Sequence, residues 1–233
     1  MKAILPYILG ITLISVFISC KKDNYDPPKS VLSGKLMYDK ETIEVEYDRV
    51  PFELYQYGFG KTGAIGNTFE PDGSYSMLLF NGNYKFIIPN GQGPFVWKKD
   101  ASGNPDSLSI TINGNQELNI DVTPYYMIRN TQFSAASSKV NATFEADKII
   151  TDADAKDIER VSLYINKTEF VSGANNIAVQ DLAGADITDV NHIALEVDIP
   201  SIVPVQNYVY ARVGIKIAGV EDMIFSPVQR LEF

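Results

Sequence analysis

The sequence predicts an all-β fold of two consecutive β-sandwich domains, on three observations. Polar and apolar residues alternate with a period of two in several segments after residue 30, whereas helical periodicity is nearly absent. Asn81-Gly82 and Asn113-Gly114 separate strand-like runs, and Asn-Gly is a strong hairpin signal because both residues tolerate a positive φ. The strand pattern breaks at Thr123-Pro124 and starts again at Tyr125. Short alternating strands punctuated by turn residues are typical of β-sandwiches.

Residues 1–19 have the layout of a secretory signal peptide. Lys2 supplies a positive charge, residues 4–18 are almost wholly apolar, and Ser19 stands directly before Cys20. The apolar run is shorter than the ~20 residues that cross a bilayer as a helix. A charged start, a short apolar segment and a small residue before the cut predict cleavage between Ser19 and Cys20.

Cys20, the only cysteine of the 233 residues, is the predicted lipidation site. Cleavage makes it the mature N-terminus, where its thiol can take a diacylglyceryl group and its amine a further acyl chain, as in bacterial lipoproteins. Two or more acyl chains anchor a protein stably, whereas one does not. The alternative is a buried free cysteine, but the polar residues Lys21, Lys22 and Asp23 oppose burial. We therefore expect acylated Cys20 to hold the protein at the lipid of the outer membrane.

Residues 20–30 form the predicted lipidated tether. Pro27 and Pro28 favour extended backbone, which stiffens a linker. Asp23 and Asp26 resemble the short acidic signal that follows the lipidated cysteine in surface lipoproteins of the Bacteroidota. That resemblance implies exposure at the cell surface, on the outer leaflet of the outer membrane. The alternative is a solvated linker that keeps the domains clear of the lipid headgroups.

The composition after cleavage limits the class of partner. Lys2 is the only charged residue of residues 1–19, so their removal changes the formal charge from −9 to −10 and leaves 214 of 233 residues. An acidic chain with a pI near 4.7 is a poor binder of nucleic acid, because phosphate contacts need clustered lysine and arginine. With Cys20 acylated no internal disulfide can form, so stability depends on a core for which 45% hydrophobic residues are available. We expect no cofactor.

Residues 31–123 are predicted to form the first sandwich. The segments SGKLMYD, VPFELYQ and FEPDGSYSMLLFNGNYKF contain Gly34, Val50-Pro51, Asp72-Gly73 and Gly82-Asn83-Tyr84. These features resemble the carboxypeptidase-regulatory, transthyretin-like domain. That domain has an opening strand with a glycine, a strand after a Val-Pro step, and an Asp-Gly turn that leads to a Gly-x-Tyr strand. The resemblance covers roughly residues 30–90 and implies a β-sandwich.

Residues 124–233 are predicted to form the second sandwich. In residues 208–217 the alternation places Val209, Ala211, Val213, Ile215 and Ile217 inward, and Tyr208, Tyr210, Arg212 and Lys216 outward. Residues 192–199, 160–166 and 140–146 repeat the pattern. This part of the chain resembles fibronectin type III and immunoglobulin-like domains.

A lipidated cysteine, a transthyretin-like domain and a second sandwich together resemble a family of Bacteroidota surface lipoproteins. Its members are often associated with outer-membrane nutrient importers of the SusC/SusD type. The resemblance implies a non-enzymatic accessory subunit or ligand-capturing module. Its partners would be a SusC-like TonB-dependent transporter, a SusD-like lipoprotein and a glycan or peptide ligand. The alternatives are a structural or adhesive, fimbria-like surface protein and a small glycan hydrolase with two carboxylates.

Few residues of the sequence suggest chemistry. His192, the only histidine, falls on the outer face of a predicted strand, so a serine-histidine-acid triad would depend on an exposed side chain. Asp152, Asp154 and Asp157 offer oxygen ligands for calcium, but the glycine and glutamate that an EF-hand needs at its sixth and twelfth positions are absent. A turn capped by Thr151 or Asp152 explains the same residues without a metal.

Four aromatic residues are the candidate binding residues: Tyr57, Phe59, Phe95 and Trp97. They lie in or near predicted loops, and exposed aromatic rings stack on sugars or anchor peptides. The alternative places Phe95 and Trp97 in the core, at the end of the first sandwich. Separately, Asp106-Ser107-Leu108 resembles the Asp-Ser/Thr-aliphatic acceptor for O-glycosylation in the Bacteroidota, which implies a sugar on Ser107.

Overall fold

The computed structural model describes residues 26–58 and 63–233, so Cys20 and Phe59 lie outside the described residues. The chain forms two β-sandwich domains, which confirms the predicted fold class. Within the two described ranges the one helical element is a short 3-10 turn at Gly184–Asp186.

The first domain contains strands β1 to β11, arranged in two main sheets. Their bounds are β1 Ser30–Tyr38, β2 Glu41–Thr42, β3 Pro51–Gln56, β4 Ile65–Thr68, β5 Ser74–Leu79, β6 Gly82–Ile87, β7 Phe95–Val96, β8 Leu108–Ile112, β9 Gln116–Glu117, β10 Ile120–Asp121 and β11 Thr123–Pro124. One sheet has the antiparallel order β4-β3-β6-β8. The other is built on β1, which pairs antiparallel with β2 and β5 and parallel with β9 and β10.

The first strand of the first domain, β1, pairs in parallel with β9 and β10 near the end of the same domain. Leu32 lies opposite Gln116 in this pairing. The two backbones approach so closely at Gly34 that a Cβ there would stand 1.9 Å from the carbonyl oxygen of Leu118. The opening strand therefore needs glycine at this position, because any side chain would push the last strands of the domain away.

The prediction of β-hairpins at the two Asn-Gly turns is wrong. Asn81-Gly82 leads from β5 in one sheet to β6 in the other, and Asn113-Gly114 leads from β8 back to β9. The backbone conformation is the expected one, since Gly82 and Gly114 have φ values of 153° and 84°. Asn81 Oδ1 also accepts a hydrogen bond from Gly114 N at 3.0 Å, so the two turns lie side by side. A local turn preference does not tell whether the next strand pairs with the preceding one or crosses the core.

An aromatic cluster fills the first sandwich, and its members are Phe52, Phe69, Tyr75, Phe86 and Trp97. Phe52 stacks on Phe86 with ring centroids 5.0 Å apart and lies 4.8 Å from Phe69. Trp97 joins the cluster at 6.3 Å from Phe86. Because each ring buries a large apolar area, the cluster contributes strongly to the stability of this domain.

The second domain contains strands β12 to β19. Their bounds are β12 Tyr126–Ala136, β13 Lys139–Lys148, β14 Ile158–Asn166, β15 Ala178–Ala183, β16 Ile193–Asp198, β17 Tyr208–Ile217, β18 Met223–Phe225 and β19 Gln229–Glu232. One sheet has the order β12-β13-β16. The other has the order β15-β14-β17, and both β18 and β19 pair with β17 along its free edge.

The predicted alternation is confirmed in one sheet of the second domain and fails in the other. In β13 and β16 every second residue is buried and the residues between them are more exposed. In β14 and β17, all residues of 161–166 and 211–215 are buried. The prediction of one solvated face is wrong there, because the first domain and the loop before β15 cover the outer face of these strands.

Arg212 lies on that covered face of β17 and is only 1% exposed. Its guanidinium donates hydrogen bonds to two carbonyl oxygens of the first domain, Val45 at 3.1 Å and Pro71 at 2.8 Å. Nη2 also donates to Glu44 Oε2 at 3.0 Å, and Nε donates to Ser226 O at 2.6 Å. A buried charge needs such partners, since its desolvation costs several kcal/mol. Arg212 therefore fastens the second sandwich to the first.

A small apolar cluster surrounds this guanidinium, and it consists of Tyr164, Val171, Met223 and Phe225. The carbon of the Arg212 guanidinium lies 4.5 Å from the centroid of the Phe225 ring. Phe225 N donates to Glu44 O at 3.1 Å, so β18 forms a β-bridge across the two domains. Burial raises the pKa of the Glu44 carboxyl, and the positive charge of Arg212 opposes that shift.

Asp222 provides a second buried polar contact between the domains. It is 4% exposed, and its Oδ2 accepts a hydrogen bond from Gly93 N at 2.7 Å. Burial raises the pKa of Asp222, while the bond from Gly93 N acts in the opposite direction. Gly93 has a φ of 82°, and a Cβ there would stand 2.3 Å from the Phe95 ring. Glycine is therefore needed for the contact with Asp222 to form.

We predict that Arg212→Met lowers the free energy of unfolding by about 3–5 kcal/mol, because it removes the cation of the largely buried Glu44 carboxylate and the donor of three carbonyl oxygens. The matched control is Arg230→Met. Arg230 is exposed over the Tyr208 ring and pairs with Glu232, so its loss should cost less than about 1 kcal/mol. Urea unfolding followed by circular dichroism measures both changes. Equal losses in the two variants would contradict the assigned role of Arg212.

Asp222 should make stability depend on pH in a defined direction. Its folded-state pKa is raised above the ordinary 3.8, so its contribution to stability is complete below pH 3.8 and is lost as the pH rises through the folded value. Asp222→Asn keeps an oxygen acceptor for Gly93 N without the charge, and should gain stability relative to the wild type as the pH rises. Asp222→Ala should be about 1–3 kcal/mol less stable than Asp222→Asn at every pH, because Gly93 N is left unpaired. Parallel pH profiles of wild type and Asp222→Asn would argue against this assignment.

Candidate functional site

The loop between β6 and β7 runs along the junction of the two domains. Gly91 and Gly93 have φ values of 80° and 82°, a conformation that glycine adopts at little cost. Besides the bond from Gly93 N to Asp222, Pro94 O accepts a hydrogen bond from Tyr125 N at 3.2 Å. These contacts hold the loop against the second domain and leave a cavity beside it.

The cavity has a volume of about 130 Å³ and is formed by both domains. The first domain contributes Phe95, Trp97 and Lys99 among others, and the second domain contributes Tyr125 and Lys156. This volume is several times the roughly 15 Å³ that one water molecule needs. Domain interfaces are a frequent location of ligand sites, so the junction cavity is the candidate functional site.

Trp97 and Phe95 lie in the core and not in solvated loops, which confirms the alternative interpretation of these two residues. They are 7% and 4% exposed. Trp97 Nε1 donates to Asp106 O at 2.7 Å, and the ring packs against Phe86. Both residues nevertheless line the junction cavity. The structure therefore places them at the wall of a concave site, where an aromatic ring can contact a ligand without being displayed on the surface.

Tyr125 and Lys156 line the cavity from the second domain. Lys156 Nζ lies 5.7 Å from the centroid of the Tyr125 ring and donates to Gly219 O at 3.4 Å. Burial raises the pKa of the Tyr125 hydroxyl, and the nearby Asp154 carboxylate adds to this effect. The phenol consequently stays protonated at neutral pH and can donate a hydrogen bond.

Tyr57 is the one sequence-predicted aromatic residue that the structure shows to be strongly exposed, at 64%. It follows β3 directly, at the edge of the undescribed residues 59–62, and it does not line the junction cavity. Phe59 lies among those undescribed residues, and Cys20 lies before the first described one. Among the described residues, the structure thus separates Tyr57 from Phe95 and Trp97.

The three aspartates proposed for calcium do not converge. Asp152 Oδ1 accepts a hydrogen bond from Asp154 N at 3.0 Å, and Asp157 pairs with Lys148 at 3.3 Å. Across the described ranges no group of three or more histidine, cysteine, aspartate or glutamate side chains is arranged to hold a metal ion. The structure favours the alternative interpretation of these residues, in which Asp152 caps a turn without a metal.

Two further residues singled out in the sequence lie at separate places on the surface. His192 is exposed in the turn before β16, where its backbone N donates to Asp189 O at 3.2 Å. Ser107 is partly buried just before β8, and its backbone N donates to Asp106 Oδ1 at 2.7 Å. O-glycosylation of Ser107 stays a prediction.

Sequence reasoning missed the residues that make the junction. Arg212 was predicted to face outward, and Tyr125 and Lys156 carried no signal of a shared site. Arg212 stands between Ala211 and Val213 in a mostly apolar strand, and this is the one signal that could have indicated a covered face. In the described part of the chain, no helix is long and apolar enough to cross a membrane.

The fold and the junction define the class of protein: two β-sandwich domains in series, joined by buried polar contacts, with a cavity between them. Two family models match the chain. A model described as the N-terminal domain of DUF3823, a protein of unknown function, matches residues 30–123, and the DUF3823 C-terminal domain matches residues 126–230. The chain belongs to the DUF3823 family. No curated protein matches the sequence.

Solved structures agree with this assignment. A DUF3823 family protein from Parabacteroides merdae is 35% identical with a TM-score of 0.77, covering 89% of this chain and 100% of its own. A second, from Bacteroides ovatus, is 30% identical with a TM-score of 0.75, covering 88% and 99%. A candidate carbohydrate-binding protein from Bacteroides uniformis shares the fold at 15% identity and a TM-score of 0.68, covering 88% and 100%.

We predict that Trp97→Ala destabilises the protein by about 3–5 kcal/mol, since it removes a buried ring from the aromatic cluster. Tyr57→Ala is the matched control, because its ring is mostly exposed and its removal should change stability by less than about 0.5 kcal/mol. Urea unfolding followed by circular dichroism compares the two variants. If Trp97→Ala is as stable as Tyr57→Ala, Trp97 is not the core residue described above.

Proposed function

We propose that this protein is a non-enzymatic lipoprotein of the cell surface that captures a carbohydrate for a nutrient importer of the SusC/SusD type. Lipidation of Cys20 would hold it at the outer membrane, and the two sandwiches would present the junction cavity. The observation that carries the proposal is the composition of that cavity, in which Trp97 and Tyr125 from different domains line one concave space.

The geometry favours carbohydrate binding for a physical reason. Sugar rings present apolar C–H faces and polar rims, and they bind where aromatic rings stand beside hydrogen-bond donors. Tyr125 supplies an aromatic face with a protonated hydroxyl, and Lys156 supplies an ammonium group beside it. The structural neighbour from Bacteroides uniformis, described as a candidate carbohydrate-binding protein, supports the same class of ligand for this fold.

The same lining favours binding over hydrolysis. Glycoside hydrolysis needs two carboxylates that flank the bond to be cleaved. None of the fifteen residues that line the cavity is aspartate or glutamate. A hydrolase at this site would lack its acid and its nucleophile or base. A fimbria-like subunit, the other alternative, would use an exchanged strand and would have no need of a cavity at the domain junction.

Anchoring explains how a modest affinity could suffice for a role beside a transporter. A protein held at the membrane by acyl chains meets other membrane proteins at a high effective concentration. A weak interface with the importer would then keep the cavity close to the transport channel. The ligand would be released and rebound within the same complex.

The test is recovery of the importer with this protein. Affinity purification after mild detergent extraction should recover a SusC-like barrel and a SusD-like lipoprotein together with the wild type. Cys20→Ala is the matched control, since it keeps both sandwiches and removes the predicted acyl anchor, and it should lose both partners and leave the membrane fraction. Recovery of the wild type alone, under conditions that keep the barrel and its lid together, would overturn the importer role.

A further inference from the structure

We infer that the junction cavity selects sugars that carry an anionic group, a carboxylate or a sulfate, through Lys99 and Lys156. This inference rests on the proposed carbohydrate capture and assigns the chemical class of its ligand. It starts from a contrast between the charge of the whole protein and the charge of this one site.

The protein as a whole is acidic, but the charged residues that line the cavity are both lysines. The chain has 29 aspartate and glutamate residues against 20 lysine and arginine residues. The cavity lining includes two lysines and no carboxylate. An anion that approaches the protein therefore meets repulsion over most of the surface and a locally favourable field at the junction.

A second groove at the domain junction differs from the cavity, because charged residues of both signs line it. On another side of the domain junction, Glu46 and Glu221 line a groove together with Arg49 and Lys216. There, Lys216 Nζ donates to the carbonyl oxygens of Val220 and Glu221 at 2.5 Å each. That groove is lined by groups of both signs, which compensate one another, whereas the two charged residues that line the cavity are both lysines.

The two lysines of the cavity are available for a ligand. Among the ion pairs of residues 26–58 and 63–233, none includes Lys99 or Lys156. Lys156 Nζ makes one long hydrogen bond, 3.4 Å to Gly219 O, and an ammonium group has three donors. Hydrogen bonds from an ammonium to a carboxylate or sulfate oxygen are roughly twice as strong as neutral ones. The ammonium groups can therefore distinguish an anionic sugar from a neutral one.

The remaining walls of the cavity suit a sugar better than a bare anion. Tyr125 and Trp97 offer aromatic surface, and Gly91 leaves its backbone open because nothing lies within 4 Å of where its Cβ would be. An inorganic anion would gain nothing from the aromatic walls. A sugar unit can use the rings for its apolar face and the lysines for its charged substituent.

Trp97 provides the measurement, since it is the only tryptophan of the chain and lines the cavity. Trigalacturonate, an acidic trisaccharide, should change the Trp97 fluorescence in a saturable way, and added salt should weaken its binding. Maltotriose, a neutral trisaccharide, should bind at least about fivefold more weakly, the factor that corresponds to losing one exposed charge pair. Inorganic sulfate should also bind more weakly than trigalacturonate, because it cannot use the aromatic walls. Isothermal titration calorimetry of the same three compounds provides a second readout that does not depend on the tryptophan.

Two lysine variants and two controls locate the effect. Lys156→Met and Lys99→Met should each weaken trigalacturonate binding by about threefold to fivefold and leave the urea midpoint unchanged. Lys98→Met is the matched control for charge, because Lys98 lies 5.7 Å from the Trp97 ring centroid but does not line the cavity. Phe170→Ala is the control for location, since Phe170 is 55% exposed and packs on Tyr47 at the outside of the junction.

Each outcome decides the inference. Preference for trigalacturonate that both cavity variants reduce and both controls keep would support it. Equal binding of maltotriose, or full binding by Lys99→Met and Lys156→Met, would overturn anion selection and leave carbohydrate capture standing. Equal binding of sulfate would overturn the inference, because the cavity would then bind any anion. Loss of binding in Phe170→Ala would also overturn it, because the binding site would then include the Tyr47–Phe170 pair outside the cavity. Failure of all three compounds to bind would overturn the inference, while the importer role would still be decided by affinity purification.

Discussion

The buried guanidinium of Arg212 is the interaction on which the arrangement of the two domains depends. A single domain could not bury this cation at low cost, because its own strands supply one carbonyl partner, Ser226, and the remaining acceptors come from the first sandwich. Desolvation of the charge is offset only when both domains are in place. The contact therefore selects one docking geometry among the many that apolar surfaces alone would permit. The small cluster around Phe225 adds buried apolar area to the interface. The hydrogen bonds of Arg212 fix the position of β17 against the first domain.

The cavity follows from that docking geometry. Its walls come from segments far apart in the chain, the loop after β6 on one side and Tyr125 and Lys156 on the other. Neither domain contains a complete site, so the relative position of the sandwiches sets the distance between the aromatic walls. Asp222 keeps the loop in place from the second domain. Binding at such a composite site is sensitive to changes at the interface even when the changed residue does not touch a ligand.

The sequence was sufficient for the fold class and for strands with one solvated face, such as β13 and β16, because a period of two directly reflects which side is buried. The sequence did not predict burial correctly where another domain covers the outer face of a strand. The outer face of β17 was predicted to be solvated because its polar residues alternate correctly, and only the presence of the first domain makes Arg212 a buried residue. It failed again at the Asn-Gly turns, where the local backbone is as expected but the partner strand is set by the sandwich as a whole. The cavity could not be predicted from the sequence for the same reason, because Trp97 and Lys156 line one space only when the two domains are docked.

The parallel pairing of β1 with β9 and β10 has a consequence for how the chain acquires its structure. Contacts such as the one between Lys35 and Asn119 join residues that are 84 positions apart. Until the last strands of the first domain have been synthesised, the opening strand has no neighbour along one edge. Non-local closure of this kind is slow, because loop entropy must be lost before any contact compensates for it. The first sandwich is thus expected to remain an incomplete, aggregation-prone intermediate until nearly all of its residues are available.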